Sequence, residues 1–148
     1  MTTVVATRDM IVSDSMVSIP HKDLWYPAKK LIRGPGLIAG ASGDGGDCSR
    51  FLEWAAAGFK GRVPQWKDKT SDDQVLALVV KADGIYAWSV GDPEPEKIEA
   101  ECFACGTGGK AARIAMKYGA DPIQAVKDAI EVDLWSGGEI QVLRLHDK

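Results

Sequence analysis

The chain enters a strand almost at its first residue. Met1 is followed directly by Thr2-Thr3-Val4-Val5-Ala6, a run dominated by β-branched residues with no leader ahead of it. Removal of one methionine would leave a threonine with a free α-amine at the start of a sheet. Such a residue holds both a nucleophile and a base. A hydroxyl is a poor nucleophile at neutral pH, but an α-amine has a pKa of roughly 7.7–8, near the value at which a general base works best.

The rest of the chain alternates sheet and helix. Ile11-Val12-Ser13-Asp14-Ser15-Met16-Val17-Ser18 reads as the return strand of a hairpin turning near Arg8-Asp9, which sets the Asp14 carboxylate beside the start of the first strand. Ala28-Lys29-Lys30-Leu31-Ile32-Arg33, then Gly34-Pro35-Gly36 and Leu37-Ile38-Ala39-Gly40-Ala41, lead into the polar stretch Ser42-Gly43-Asp44-Gly45-Gly46-Asp47. Strands are expected at about 2–8, 11–17, 29–33 and 37–42, and a helix at about 46–59, where Phe51, Leu52, Trp54, Ala55 and Phe59 recur at helical spacing. Val75 to Val80 and Ile85 to Trp88 make a hairpin across Ala82-Asp83-Gly84. Cys102 to Cys105 is a further strand. Thr107 caps a helix that ends at Tyr118-Gly119, and Asp121-Pro122 starts another that runs to about Val132. Asp133-Leu134-Trp135-Ser136-Gly137-Gly138 breaks the chain before a last strand, Ile140 to Leu145.

Composition excludes several function classes. A chain of 148 residues, 45% of them hydrophobic, is expected to form one domain over residues 1–148 that buries its own core. The net charge is −3 and Lys and Arg are scattered, so no basic stripe invites nucleic acid. No basic segment precedes an apolar run at the N-terminus, and no stretch approaches ~18 consecutive apolar residues, so neither secretion nor membrane insertion is indicated. The cytoplasm is the expected compartment. Three cysteines, Cys48, Cys102 and Cys105, are an odd number without a framework and fit reducing conditions.

Two motifs fail on inspection. Cys102-Phe103-Ala104-Cys105 has the spacing of a thiol-redox or half-zinc site, but no second cysteine pair exists and His21 and His146 lie near opposite ends, so no metal or cofactor is expected. Gly106-Thr107-Gly108-Gly109-Lys110 is not a phosphate loop: Ala104 stands where its first glycine belongs, and Ala111 comes after Lys110 in place of Ser or Thr. Of the five tryptophans, Trp54, Trp88 and Trp135 read as core, while Trp25 and Trp66 fall in loop-like sequence and are candidates for subunit contacts.

Taken together, the opening Thr-Thr-Val-Val, the aspartate of Ser13-Asp14-Ser15, the Lys-Lys-hydrophobic pair, the Ala-Gly-x-x-Gly elbow with Asp47 beyond it, Gly106-Thr107-Gly108-Gly109 and Asp-x-x-Ser-Gly-Gly resemble the β-subunits of the proteasome and the HslV (ClpQ) peptidase, within the N-terminal-nucleophile hydrolases. The resemblance covers nearly the whole chain in order and rests on joint occurrence. It implies an α+β fold, a four-layer αββα sandwich of two mainly antiparallel sheets. Where the family has a second helix packed against the first, only Gly61 to Asp73 is available, so a compact version with that helix reduced or missing is expected.

Carried over by position, the resemblance implies Thr2 as nucleophile and Lys30 as the cation that lowers the pKa of its hydroxyl and amine. Asp14 would hold that lysine charged, the Gly43 N–H would form the oxyanion hole, and Asp133, Ser136 and Thr107 would position the amine. Serine is usual at the Thr107 position; threonine keeps the hydroxyl. Lys29 is the rival to Lys30, but Lys30 precedes the apolar residue the pattern wants and shares a strand face with Ile32. Val17, Ala28, Ile32, Ala41 and Gly45 would line an apolar substrate pocket. The physical case stands beside the resemblance. A lysine next to an amine disfavours the amine's protonated form, and its own burial requires a carboxylate. Asp44, an acid just past the oxyanion glycine, is read as a helix cap. Thr3 points to the opposite strand face from Thr2 and is expected to matter much less.

The implied activity is a threonine peptidase that hydrolyses unfolded polypeptide without cofactor or metal. The implied assembly is a homo-oligomeric ring or double ring, served by an ATP-dependent unfoldase ring, with no nucleic acid and no membrane. Two alternatives remain open: a catalytically silent ring subunit in which Met1 is retained, and a small-molecule amidase on the same fold.

Overall fold

The computed structural model describes residues 2–19, 24–43, 45–65, 75–89, 92 and 94–147. β1 (Val4–Thr7) and β2 (Met10–Ser13) form the first hairpin. β10 (Cys102–Cys105) flanks β1 and β11 (Gln141–Arg144) flanks β2, all antiparallel. A five-stranded antiparallel sheet runs in chain order through β5 (Leu31–Gly34), β6 (Leu37–Ala41), β7 (Val75–Lys81), β8 (Gly84–Ser89) and β9 (Glu96–Ile98). β3 (Met16–Ile19) and β4 (Leu24–Pro27) pair apart from both sheets as a two-stranded ribbon.

The central strands of the two sheets are apolar on both faces because both faces are covered. Val4, Ala6 and Ile11 point into the seam between the sheets, where they meet Leu31, Ile38, Leu78 and Val80. Val5 and Val12 point the other way, against Ala112 of α2 (Gly109–Lys117) and Ala125, Val126 and Ala129 of α3 (Pro122–Val132). On the far sheet Leu37, Ala39, Ala77 and Val79 face Phe51, Leu52, Trp54 and Ala55 of α1 (Gly45–Ala56). The period of two along each strand thus sorts residues into three apolar clusters between four layers, an αββα sandwich. Among the described residues no helix is long and apolar enough to cross a membrane.

Several boundaries differ from expectation. The strand expected over 11–17 breaks after Ser13, because Asp14 turns inward and its carboxylate accepts the Met16 N–H at 3.4 Å. From Met16 the chain enters the separate ribbon rather than extending the sheet. α1 stops at Ala56: the Gly58 and Phe59 N–H groups bond back to Ala55 and Trp54 carbonyls at 2.9 Å each, and Phe59 takes φ 61°. Its ring then stacks on Trp88, 4.7 Å between centroids, so Phe59 is packed in the core but not in the helix. β4 and β9 are not among the strands expected from the sequence. α3 begins as expected, with Asp121 accepting the Gln124 N–H at 2.9 Å and proline at the first turn.

Residues 61–65 form no helix, and 66–74, with Trp66, lie outside the described residues. Asp44 also lies outside them. Trp54 and Trp88 are buried, Trp25 is 63% exposed, and Trp135, expected in the core, is 37% exposed.

Candidate active site

Thr2 sits just before β1, held through its own backbone. The Gly108 N–H donates to the Thr2 carbonyl at 3.2 Å, the Asp14 N–H donates to the Thr3 carbonyl at 3.2 Å, and the Thr3 N–H donates to Asp14 Oδ1 at 3.1 Å. Gly106 has φ 89°, and a Cβ there would overlap the Thr2 carbonyl oxygen and lie 2.7 Å from its carbon. A Cβ on Gly108 would overlap Thr3 Oγ1. These two glycines let the turn after β10 close directly over the Thr2–Thr3 backbone, which no side chain would permit.

On one flank lies a buried ion pair. Lys30, ahead of β5, is 6% exposed, and its Nζ donates to Thr2 Oγ1 and Asp14 Oδ1 at 2.9 Å each and to the Met16 carbonyl at 2.5 Å. Asp14 is fully buried and also accepts the Gly137 N–H at 2.9 Å. Burial pushes the Lys30 pKa below the ordinary lysine value of 10.5, and the Asp14 charge and hydrogen bond oppose that fall. The lysine backbone is stapled from β11: Gln141 Oε1 accepts the Lys30 N–H at 2.9 Å while Gln141 Nε2 donates to the Ala28 carbonyl at 2.8 Å.

On the other flank is a chain of neutral hydroxyls ending on a carboxylate. The Thr2 N–H donates to Thr107 Oγ1 at 3.2 Å, Thr107 Oγ1 to Asp133 Oδ2 at 2.7 Å, and Ser136 Oγ to the same oxygen at 2.5 Å. While Met1 is attached, that Thr2 nitrogen is a peptide N–H; after its removal the same nitrogen is the α-amine. Thr107 was expected to cap α2, but the helix begins at Gly109 behind Gly108 with no side-chain cap, because the Thr107 hydroxyl is engaged with Thr2 and Asp133.

Thr2, Asp14, Lys30, Thr107, Asp133 and Ser136 thus lie together around the Thr2 nitrogen and hydroxyl. Gly43, φ 123° and exposed, lies between β6 and α1, next to Ser42, whose Cβ is 3.5 Å from the Cβ position of Gly106. Of the pocket residues, Ile32 and Ala41 pack together on the α1 side of the far sheet. Ala28 donates its N–H to the Ser15 carbonyl at 2.7 Å, Val17 pairs with Tyr26 in the ribbon, and Gly45 opens α1 to solvent. Sequence reasoning missed Gln141, which no motif marks, and Thr3, which strand alternation set aside. Thr3 is fully buried, and its Oγ1 lies 2.7 Å from Ser136 Oγ. Among the described residues no group of three His, Cys, Asp or Glu side chains could hold a metal ion.

The backbone as a whole resembles two solved proteins. It superposes on eukaryotic HslV from Trypanosoma brucei with a TM-score of 0.65 and 19% identity, covering 96% of this chain and 98% of that one. It superposes on Thiobacillus denitrificans BPH with a TM-score of 0.68 and 16% identity, covering 99% of each, and BPH has also been solved in complex with epoxomicin. The chain has the HslV-type sandwich fold. No family model matches the sequence, and no curated relative matches it.

Proposed function

We propose that the chain is a threonine peptidase of the proteasome/HslV type, acting as a single domain through Thr2 once Met1 is removed. The observation that carries the reading is the buried Lys30 ammonium, 2.9 Å from both Thr2 Oγ1 and Asp14 Oδ1. A cation at that hydroxyl stabilises developing alkoxide character and, by like-charge repulsion, keeps the neighbouring α-amine neutral at working pH. The Thr2 oxygen attacks the peptide carbonyl carbon while its proton passes through a water to the α-amine, and the Gly43 N–H stabilises the oxyanion. Collapse breaks the C–N bond and the amine returns the proton to the leaving nitrogen. Water then hydrolyses the acyl ester and restores Thr2. Thr107, Asp133 and Ser136 orient the amine, and Val17, Ala28, Ile32, Ala41 and Gly45 favour an apolar substrate side chain.

An open site of this kind calls for enclosure. We place it in a homo-oligomeric ring or double ring of roughly six or more copies per particle, fed with unfolded polypeptide by an ATP-dependent unfoldase in the cytoplasm. Leu24, Trp25 and Tyr26 on the ribbon are 50%, 63% and 44% exposed, which suits contact between copies.

The test is intact mass with electrophile labelling. The purified protein should lack Met1, hydrolyse an unfolded protein and gain the mass of epoxomicin, and Thr2→Ala should lose both activities. Full hydrolysis by Thr2→Ala would sink the mechanism. Retained Met1 without hydrolysis would favour the silent subunit; cleavage of small amides alone would favour the amidase.

A further inference from the structure

Thr3 stands on the strand face away from the nucleophile, yet it is fully buried and joined to the amine-positioning residues. Its partner Ser136 is 6% exposed and has one hydroxyl proton, which goes to Asp133 Oδ2 at 2.5 Å. Toward Thr3 Oγ1, 2.7 Å away, Ser136 can then only accept. Thr3 must be the donor. The protons therefore run in one sense from both ends: Thr3 to Ser136 to Asp133, and Thr2 N–H to Thr107 to Asp133. Asp133 collects two hydroxyl protons on one oxygen and the Trp135 N–H at 3.4 Å on the other. The Thr107 lone pairs are left facing the Thr2 nitrogen, which turns the lone pair of a free amine away from Thr107.

We propose that Thr3 is a positioning residue for catalysis: its hydroxyl anchors Ser136 so that the Ser136 proton is delivered to Asp133, and through Asp133 and Thr107 it orients the Thr2 amine. This rests on the peptidase reading but concerns an atom that touches no substrate. Donation into Ser136 polarises the bond that Ser136 makes to Asp133. Without it the Ser136 hydroxyl is held at one end only, the carboxylate is less fully screened, and a positive charge on the amine is favoured. The same segment is fixed by the close passage of Gly108, 3.1 Å from Thr3 Cβ at its Cβ position, so the Thr3 rotamer has little freedom. Among the described residues, other ionisable groups that bear on this site are Lys30 and Asp14 on the charged flank, Cys48, whose charge acts on Lys30, and the buried Cys105 thiol at the end of β10.

The experiment compares Thr3→Val, which keeps the shape and removes the hydroxyl, with Thr3→Ser, which keeps the hydroxyl. Both are released at Thr2 from a cleavable N-terminal fusion. Thr3→Val should lower kcat about three- to tenfold, the equivalent of one hydrogen bond, with KM unchanged. The acid limb of its kcat/KM profile and the directly titrated Thr2 amine should both move upward in pH by a few tenths of a unit. Thr3→Ser should restore all three. If Thr3→Val does not fold, Thr3→Cys, with its weak S–H donor, replaces it under the same readouts. An unmoved acid limb, amine titration and kcat, with only stability reduced, would overturn the proposal. Absence of peptide hydrolysis by the wild-type chain would instead overturn the peptidase reading, and the amine titration would still decide the role of Thr3.

Discussion

The two flanks of Thr2 are built on opposite principles. On the Lys30–Asp14 side, full charges are taken out of water, at 6% and 0% exposure, and each is satisfied by several partners. On the Thr107–Asp133–Ser136 side, one half-buried carboxylate is approached by neutral hydroxyls, and Thr107 itself is exposed. A buried cation acts strongly on a neighbouring oxygen because little water screens it, but it is costly to leave unpaired. A hydroxyl relay near the surface acts weakly and fixes orientation. The charged flank should set whether the hydroxyl reacts, and the neutral flank should set how the amine is presented.

The largest test of that division is Lys30→Met, expected to lower kcat/KM about a thousandfold, comparable to loss of a strong transition-state stabiliser. Its stability cost should be smaller than that of Asp14→Leu. After Lys30→Met, Asp14 still accepts from the Thr3, Met16 and Gly137 N–H groups. After Asp14→Leu, the buried ammonium keeps only neutral acceptors, the Thr2 hydroxyl and the Met16 carbonyl, those N–H groups lose their acceptor, and about 3–5 kcal/mol should be lost in a denaturant titration. Equal destabilisation by the two substitutions would break the comparison.

Gly106→Ala should come next. A methyl group there meets the Thr2 carbonyl and requires φ 89° of an alanine, so Thr2 must shift relative to both flanks. Misplacement on the order of 1 Å costs about 100-fold in rate, and steady-state assays beside a retained melting transition would isolate that effect. On the neutral flank, Thr107→Val removes the acceptor for the amine and a donor to Asp133. A fall of roughly 10- to 100-fold is expected, as for hydrogen bonds involving charge, while Thr107→Ser should stay close to wild type.

The smallest effect is a displaced pH limb. Lys30 loses its proton below 10.5, chiefly through burial, so the alkaline fall in kcat/KM should begin below the ordinary lysine range. Asp14 raises the Lys30 value, so Asp14→Asn should move the limb lower still, whereas Lys30→Arg should remove it. Stability has its own sign: between the folded pKa and 10.5 the unfolded chain holds the lysine proton more tightly, so the Lys30 contribution rises with pH across that window. A limb unmoved by Asp14→Asn would deny the coupling between the two residues.

Much of this architecture was legible in the sequence because it depends on local chemistry. Runs such as Leu37 to Ala41 and Ala77 to Val80 can be buried on two faces only as covered strands, and Asp121-Pro122 starts a helix by its own hydrogen bonding and fixed φ. The family resemblance brought Thr2, Asp14 and Lys30 together, and a buried lysine requires a carboxylate such as Asp14. Tertiary structure alone decided the rest. The strand expected over 11–17 ends at Ser13 because the Asp14 carboxylate is drawn inward by Lys30 and by N–H groups from Thr3 and Gly137, and no local pattern announces the two N–H groups or the break they impose. Thr3 was set aside by strand alternation, correctly as to face; only the fold brings Ser136, 133 residues away in sequence, to that face. Gln141 and the glycines over Thr2 obey the same logic: their roles lie in the backbone they touch, and which backbone passes by is fixed by how the layers stack.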